Sequence, residues 1–445
     1  MVDVAQLTSQ LEDKLVSYRI KNREKTSYYD GSHKPRNVGF SVPPKMRRQA
    51  PRLGWAGIVV DALEERIQFQ GWADPSETLG LDKVYQENRL DVEAGLGHLD
   101  ALTFGTGFVT VGRGVGGEPD PLVTVTSTMD TTGVWDGRTR RLSSAFTMNP
   151  HVDGQLDSGL LYLPDATLTV VKDGGQWRVA SNGTDNHGLG RVPVVMLPNR
   201  TSASMLLGRS EINDAVRDLI DEGARVLLAM AVNREFFSAP QRLVLGAAPD
   251  DLDHWKALMA GIWAIEPDGE GNLPTVTEFK PVPPGPYIDQ LRALAGQLAA
   301  VSGVPEAYFG VSPQANPSSA DAIRALEVRL IKKAERRCSM FGLAWLDVAE
   351  LVCLFKFGHR MPELAKVSCK WGDPATPTRA AIADETSKLV AAGVLPPTSS
   401  VTMDRLGLTA AQQDQVAKDR VAVPTMADVL SASVTRQTQA ALPGV

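Results

Sequence analysis

Between Gly303 and Phe355 the chain places a segment rich in Gly, Pro, Asn and Ser, GVPEAYFGVSPQANPSSADA, directly ahead of the pattern IRALEVRLIKKAERRCSMFGLAWLDVAELVCLF. This pairing constrains the fold more than any other feature, because it holds a loop between two helices. Upstream, Tyr287, Leu291, Leu294, Leu298 and Val301 recur at spacings of three and four, so one helical face is apolar until Gly303 and Pro305 stop it. Downstream, Ile323, Leu326, Leu330, Ala334, Phe341, Trp345, Val348, Val352 and Phe355 keep a similar period. Ser318 with Asp321 fits a capping box, in which the hydroxyl accepts from a first-turn N–H and the carboxylate faces the positive helix end. The second helix is expected to run about 35 residues, roughly 50 Å at ~1.5 Å per residue.

The rest of the chain sorts into blocks. Residues 1–50 read as a helix followed by a polar, basic arm, with Lys45, Arg47, Arg48 and Arg52 close together. Trp55–Arg66 and Leu81–Leu102 have a helical period resting on Ile58, Ala62, Leu81, Val84, Leu96 and Leu99. From Phe104 to Leu197 the character changes: FVTV, LVTVTS, AFTM, LLYL, TLTVV, WRVA and VPVVML are short β-branched or alternating runs separated by Gly, Asp and Pro, as in strands joined by hairpins. At Gly208 the helical period returns, with Ile212, Val216, Leu219, Gly223, Val226 and Met230 in a heptad-like stripe suited to packing on another helix. Residues 238–286 carry QRLVLG, GIWAIE and VTEFKPV among many Pro and Gly, a small α/β insertion. KVSCKW then reads as a strand, Thr378–Ala392 and Ser399–Ala422 as helices, and residues 431–445 have too little hydrophobicity to order. The fold class is α+β.

Several chemistries lack their residues. Gly112-Arg-Gly114-Val-Gly-Gly117 satisfies GxGxxG, but Glu118-Pro119-Asp120-Pro121 cannot open the helix that a dinucleotide fingerprint needs, so a β-turn is expected. Gly-Lys occurs nowhere, which removes a P-loop, and there is no GxSxG elbow. Six scattered histidines form no HExxH or i, i+4 pair, and Cys338, Cys353 and Cys369 form no CxxC, so no metal, cofactor or disulfide framework is expected. No signal peptide or membrane span is expected either. A net charge of −6 and a pI near 5.7 argue against a broad grip on nucleic acid. Arg329, Lys332, Lys333, Arg336 and Arg337 fall mostly on one helix face. They could contact phosphate, but in an acidic chain with Glu327 and Glu335 nearby the favoured reading is a solvated face or an intersubunit ion-pair surface.

The stretch GVPEAYFGVSPQANPSSADAIRALEVRLIKKAERR resembles the helix, tunnel loop and long wing helix of portal proteins of tailed double-stranded DNA bacteriophages, nearest to those of actinobacteriophage siphophages. YYDGSHKPRNVGFSVPPKMRRQAPRLGWAGIVVDALEERIQFQGW and WGDPATPTRAAIADETSKLVAAGVL fit the same pattern in the same order. The resemblance implies a portal fold with a mixed wing over 1–208, stem helices over 209–237 and 287–302, and a clip over 238–286. The tunnel loop would follow over 303–319, then the long wing helix and return strand over 320–375, a short helical crown over 376–432 and a disordered tail. It further implies a ring of roughly twelve copies at a capsid vertex of the virion, built in the host cytoplasm, through which double-stranded DNA is packaged and ejected. Major capsid protein, scaffold, terminase and a head-tail adaptor would be partners. A tail or baseplate protein without a channel, or a hydrolase of new architecture, are the competing readings. Within the loop, Val311, Ser312, Gln314, Asn316, Ser318 and Ser319 would face DNA, and the lack of Lys or Arg there suits weak, exchangeable contacts. Ile212, Val216, Leu219, Val226, Met230, Leu291, Leu294 and Leu298 would pack the stem.

Overall fold

The computed structural model describes residues 3–35, 50–151, 156–237, 242–245, 275–278, 283–311, 320–408 and 410–422. Helix α1 (Val4–Tyr29) starts where the Asp3 carboxylate accepts from the Ala5 and Gln6 N–H groups at 3.1 and 3.2 Å. Helix α2 (Trp55–Glu64) is followed by strand β1 (Phe69–Ala73), a strand the sequence pattern does not announce. The helical stretch expected over Leu81–Leu102 is two helices, α3 (Leu81–Glu87) and α4 (Leu90–Phe104), separated by Arg89 in a left-handed conformation at φ 50°. Leu96, expected on the buried side of α4, is 51% exposed, while Ala94, His98, Ala101 and Leu102 turn inward.

The β block contains the seven expected strands and one more. A three-stranded antiparallel sheet has β2 (Thr106–Gly112) between β3 (Leu122–Thr126) and β9 (Val194–Pro198). A five-stranded meander runs β4 (Thr131–Asp136), β5 (Arg141–Met148), β6 (Ser158–Tyr162), β7 (Thr167–Asp173) and β8 (Gln176–Asp185) in sequence order. The GxGxxG stretch links β2 to β3 as a turn, with Gly116 and Gly117 at φ 65° and 102°. Leu11 and Leu15 of α1 pack on Phe146, Leu161, Leu168, Val170 and Trp177 of the meander. Glu12 fastens the same helix by accepting from Lys172 Nζ at 2.7 Å and Trp177 Nε1 at 2.9 Å.

Helices dominate again from α5 (Asp214–Phe237), which begins later than the return to helical period at Gly208. Strands β10 (Arg242–Leu245) and β11 (Thr275–Glu278) pair antiparallel, as two of the three short runs of the insertion foretell. The third, GIWAIE, lies outside the described residues. Helix α6 (Gly285–Ser302) ends at Gly303, whose φ of 80° and N–H bond to the Ala299 carbonyl make the left-handed cap that glycine accepts without strain.

Helix α7 (Ala320–Phe357) has 38 residues, about 57 Å at ~1.5 Å per residue, and is the axis of the largest core. Leu330, Ala334, Phe341, Trp345, Val348 and Val352 of its expected stripe are fully buried, whereas Leu326 is 60% exposed and stands clear of the core. Ala325–Phe357 is long and apolar enough by length and composition alone to cross a membrane. With 61% of its most apolar stretch buried, it is a core helix here. Phe69 stacks on Trp345 at 4.5 Å, Trp72 Nε1 donates to the Trp345 carbonyl, and Trp345 Nε1 donates to His98 Nε2 at 2.9 Å. Burial pushes His98 down to about 3, so the imidazole stays neutral and its Nε2 remains an acceptor. Strand β12 (Ser368–Trp371) pairs antiparallel with β1 and closes this unit, which spans Met1–Ala375.

A second compact unit covers Thr376–Val445. It contains α8 (Arg379–Ala391), capped by the Thr378 hydroxyl, α9 (Ser400–Arg405), capped by Ser399, and α10 (Ala410–Ala422). The stretch Ser399–Ala422, expected to be helical, contains two helices, and Gly407 at φ 75° follows the first. An Arg405–Glu385 ion pair of 3.0 Å joins α9 to α8.

Candidate channel loop and its anchorage

Of the loop residues singled out by sequence, Val311 is described, and Ser312, Gln314, Asn316, Ser318 and Ser319 lie outside the described residues. So does the Ser318–Asp321 capping box. What the structure does describe is how the loop is held. After Gly303 the chain buries Val304 at 1% exposure, turns through a 3-10 helix over Glu306–Phe309, and leaves at Gly310 with φ 71°. Phe309 is the anchor: it is 5% exposed and meets Trp55 of α2 edge-on at 5.8 Å. Burying such a ring stabilises the root by about 1.5–3 kcal/mol. Arg292 of α6 then donates from Nε to the Val311 carbonyl at 3.1 Å, fixing the last described residue before the loop.

The returning limb is tied to the same elements. Arg329 of α7 donates from Nη1 to the Ala300 carbonyl at 2.7 Å, and its side chain lies over Gly303, 3.4 Å from where a Cβ would stand. Glu327 accepts from the Tyr308 hydroxyl at 2.6 Å and pairs at 3.0 Å with Arg66, a residue 8% exposed whose Nη1 also donates to the Pro374 carbonyl. Hydrogen bonds to charged groups contribute about 1.5–3 kcal/mol each, so this cluster makes α2, the 3-10 turn and α7 one bracket. The sequence places Glu327 beside the basic run of its own helix. Its partner instead comes from a distant part of the chain, which no local spacing could reveal.

A second ionic cluster sits deeper. Glu211, 8% exposed, accepts from Lys333 Nζ at 2.7 Å, Arg337 Nη2 at 3.0 Å and Asn199 Nδ2 at 3.0 Å. Burial alone would raise its carboxyl, but Lys333 and Arg337 outweigh that and hold it below its ordinary value. Two members of the basic run are therefore intrachain ties. Neither Glu211 nor Asn199 stands out in the sequence, where Glu211 is one more charged residue in the polar run Arg209-Ser210-Glu211.

The helix pair beneath the loop packs through part of the expected stripe. Ile212, Val216, Val226, Leu291 and Leu298 are buried, whereas Leu219, Met230 and Leu294 are half-buried. Ile220 and Ala224, at 2% exposure each, hold the inward positions of α5, and Ala295 does so in α6. The real period is thus set by four-residue steps from Ile212, a phase that carries Leu219 to the flank. Gly223 lets α5 approach closely, since a Cβ there would stand 2.7 Å from the Leu53 side chain and 3.3 Å from the Trp55 ring. Among the described residues no cluster of metal-ligating side chains occurs. Cys338 and Cys353 are buried and Cys369 half-buried, all with free thiols.

The geometry ties the end of the helix pair, the 3-10 turn and the long core helix together on either side of residues 312–319. A family model described as phage portal protein, SPP1 Gp6-like, matches residues 10–404. The chain is 35% identical over 391 residues to the portal protein of Mycobacterium phage D29, covering 83% of this chain and 79% of that one. To the portal protein of Mycobacterium phage L5 it is 35% identical over 393 residues, covering 83% and 78%. The chain belongs to this phage portal protein family. Two solved structures are also similar at low identity. The neck of an empty GTA particle with C6 symmetry matches at 16% identity and TM-score 0.43, covering 84% of this chain and 92% of that one. The neck of a native GTA particle with C12 symmetry matches at 15% and 0.41, covering 88% and 99%.

Proposed function

We propose that this portal protein works as a ring of about twelve copies at a capsid vertex, and that the tunnel loop over 303–319 of each copy, through Val311, Ser312, Gln314, Asn316, Ser318 and Ser319, lines the channel through which double-stranded DNA is packaged and ejected. Residues 1–208 would form most of the wing, 209–237 and 287–302 the stem, 238–286 the clip, 320–375 the long wing helix with its return strand, and 376–432 a short crown. Major capsid protein, scaffold, terminase and a head-tail adaptor would dock on it during assembly in the host cytoplasm, with terminase supplying the ATP hydrolysis. Guiding the duplex asks for positioning without adhesion, and a duplex carries one charge per ~1.7 Å. An acidic chain with uncharged amides and hydroxyls in its loop suits that task.

The observation that carries this reading is the anchorage of the loop. Phe309 in its pocket, Arg292 on the Val311 carbonyl and Arg329 on the Ala300 carbonyl hold the bases of a segment whose own residues are polar, small or proline. A rigid root with a neutral tip keeps contacts in register while letting each one exchange. The test is Gln314→Lys with Asn316→Lys in rings used for packaging. Added cations around the ring should hold phosphates electrostatically, leaving assembly intact while reducing packaged DNA, most strongly at low salt. Wild-type packaged lengths across salt would refute the assignment of this loop to the channel wall.

A further inference from the structure

The basic run on α7 is only partly consumed by the fold. Lys333 donates to Glu211 and to the Ser302 carbonyl at 2.8 Å, and Lys332 pairs at the surface with Glu335 at 2.7 Å. Arg329 has a neutral partner, the Ala300 carbonyl. Arg336 makes no ion pair or side-chain hydrogen bond among the described residues, and the same holds for Arg209 on the loop before α5. These cations do not point apart. Arg209, Arg329, Lys332, Lys333, Arg336 and Arg337 line one cleft of about 410 Å³ between the first half of α7, the end of α6 and that loop. Glu211 is the sole carboxylate among its lining residues, and it is already shared by Lys333 and Arg337. At the cleft's base Arg337 is 3% exposed, and its Nε has no partner among the described residues.

We propose that this cleft is a phosphate-binding site. Gathering three guanidinium groups without carboxylate partners into one concavity costs like-charge repulsion, which an anion bound between them removes. Guanidinium forks match the paired oxygens of a phosphate, giving short charge-assisted bonds roughly twice as strong as neutral ones. A single carboxylate from a second copy would offer two oxygens to Arg209, Arg329 and Arg336 together, whereas a phosphate offers acceptor edges on several sides. The proposal goes beyond the channel reading and uses no residue of the 312–319 loop. Its phosphate can come from free inorganic phosphate or from the backbone of a duplex.

The test uses the full chain and the variant Arg209→Gln/Arg336→Gln, whose two replaced side chains make no ion pair or side-chain hydrogen bond among the described residues, so the melting temperature in chloride should be unchanged. Inorganic phosphate is titrated at constant ionic strength and followed by calorimetry. Phosphate should bind the wild type and bind the variant at least tenfold more weakly. In a second arm, a duplex of about 20 base pairs is titrated across a salt series. If the duplex backbone is the source, the slope of log K against log salt should become shallower by about 0.9 in the variant, because one fewer phosphate is neutralised. Phosphate binding with an unchanged duplex slope leaves the site standing and assigns it to free phosphate. No phosphate binding to wild type, or equal binding to the variant, overturns the proposal. So does a variant that loses self-association while neither form binds phosphate, because the cleft would then serve carboxylates of a second copy.

Discussion

Replacing Glu211 with Gln tests how the deeper ionic cluster holds α7 to the loop before α5. Gln keeps the shape and one acceptor oxygen, so Asn199 retains a partner, and the Glu211 N–H bond to the Leu102 carbonyl at 2.9 Å is unaffected. What disappears is the only carboxylate that pairs, among the described residues, with Lys333 and with Arg337, which is 3% exposed. Removing one partner of a buried pair leaves an uncompensated charge and typically costs about 3–5 kcal/mol. With ~2.1 cal/mol/K of unfolding entropy per residue, the Met1–Ala375 unit has roughly 0.8 kcal/mol/K in all, so Tm should fall by about 4–6 °C at pH 7. Acid supplies the second arm. The Glu211 carboxyl is held below its ordinary 4.5 in the fold, so its stabilisation is complete above that value and is lost as pH falls through the folded pKa. Scanning calorimetry of both proteins from pH 7 to pH 3 should therefore show two melting curves that converge in acid. A variant melting within about 1 °C of wild type at pH 7, or a gap that stays constant down to pH 3, would refute the argument.

Ile220→Asp should block folding or ring assembly far more than Leu219→Asp, because Ile220 is 2% exposed and Leu219 only half-buried. Equal soluble yield and equal sedimentation of the two variants would show that α5 is turned differently. Lys25 gives a pH signature: burial, then the nearby Arg217 charge, lowers its ammonium from 10.5 to about 8, with Nζ donating to the Phe104 carbonyl at 2.9 Å. Between about 8 and 10.5 the unfolded chain holds a proton that the folded one has released, so this group makes stability rise with pH across that window. Lys25→Met should remove that rise, and a wild-type-minus-variant difference that is flat from pH 8 to 10.5 contradicts the assignment.

The helix that dominates the fold is legible because its stripe from Leu330 to Val352 is long, periodic and uninterrupted. Four strands of the meander, β5 to β8, are legible as short β-branched or alternating runs, whereas β4, TTGVWD, is not. β1 is not, since FQGWA is short, contains a glycine and gains its pairing only from residues 368–371. The phase of α5 departs from its heptad-like pattern at Leu219 and again at Met230, because Leu219 and Ile220, like Leu228 and Met230, are all apolar and only tertiary contact decides which turns inward. For the candidate loop, sequence supplies the stops and starts and the neutral polar character. The anchors Phe309–Trp55, Arg66–Glu327 and Arg329 on the Ala300 carbonyl join parts of the chain that no periodicity links. The basic run shows the limit most clearly: its spacing is visible, but that Glu211 consumes two of its members and Arg209 joins the rest is a product of folding.

The pairing of β1 with β12 governs how this protein is born. Trp72 and Phe69 sit against Trp345, and their strand finds its partner only at Ser368–Trp371. A ribosome adding ~5–20 residues per second needs roughly 15–60 s to travel that far. For all of that time the nascent amino-terminal part carries an unpaired strand edge and bare indole rings, conditions under which chains stick to one another. Closure of the unit is thus postponed until residues 368–371 have been made. Truncated or stalled products lacking residues beyond about 366 should accumulate in inclusion bodies or on chaperones rather than as soluble subunits.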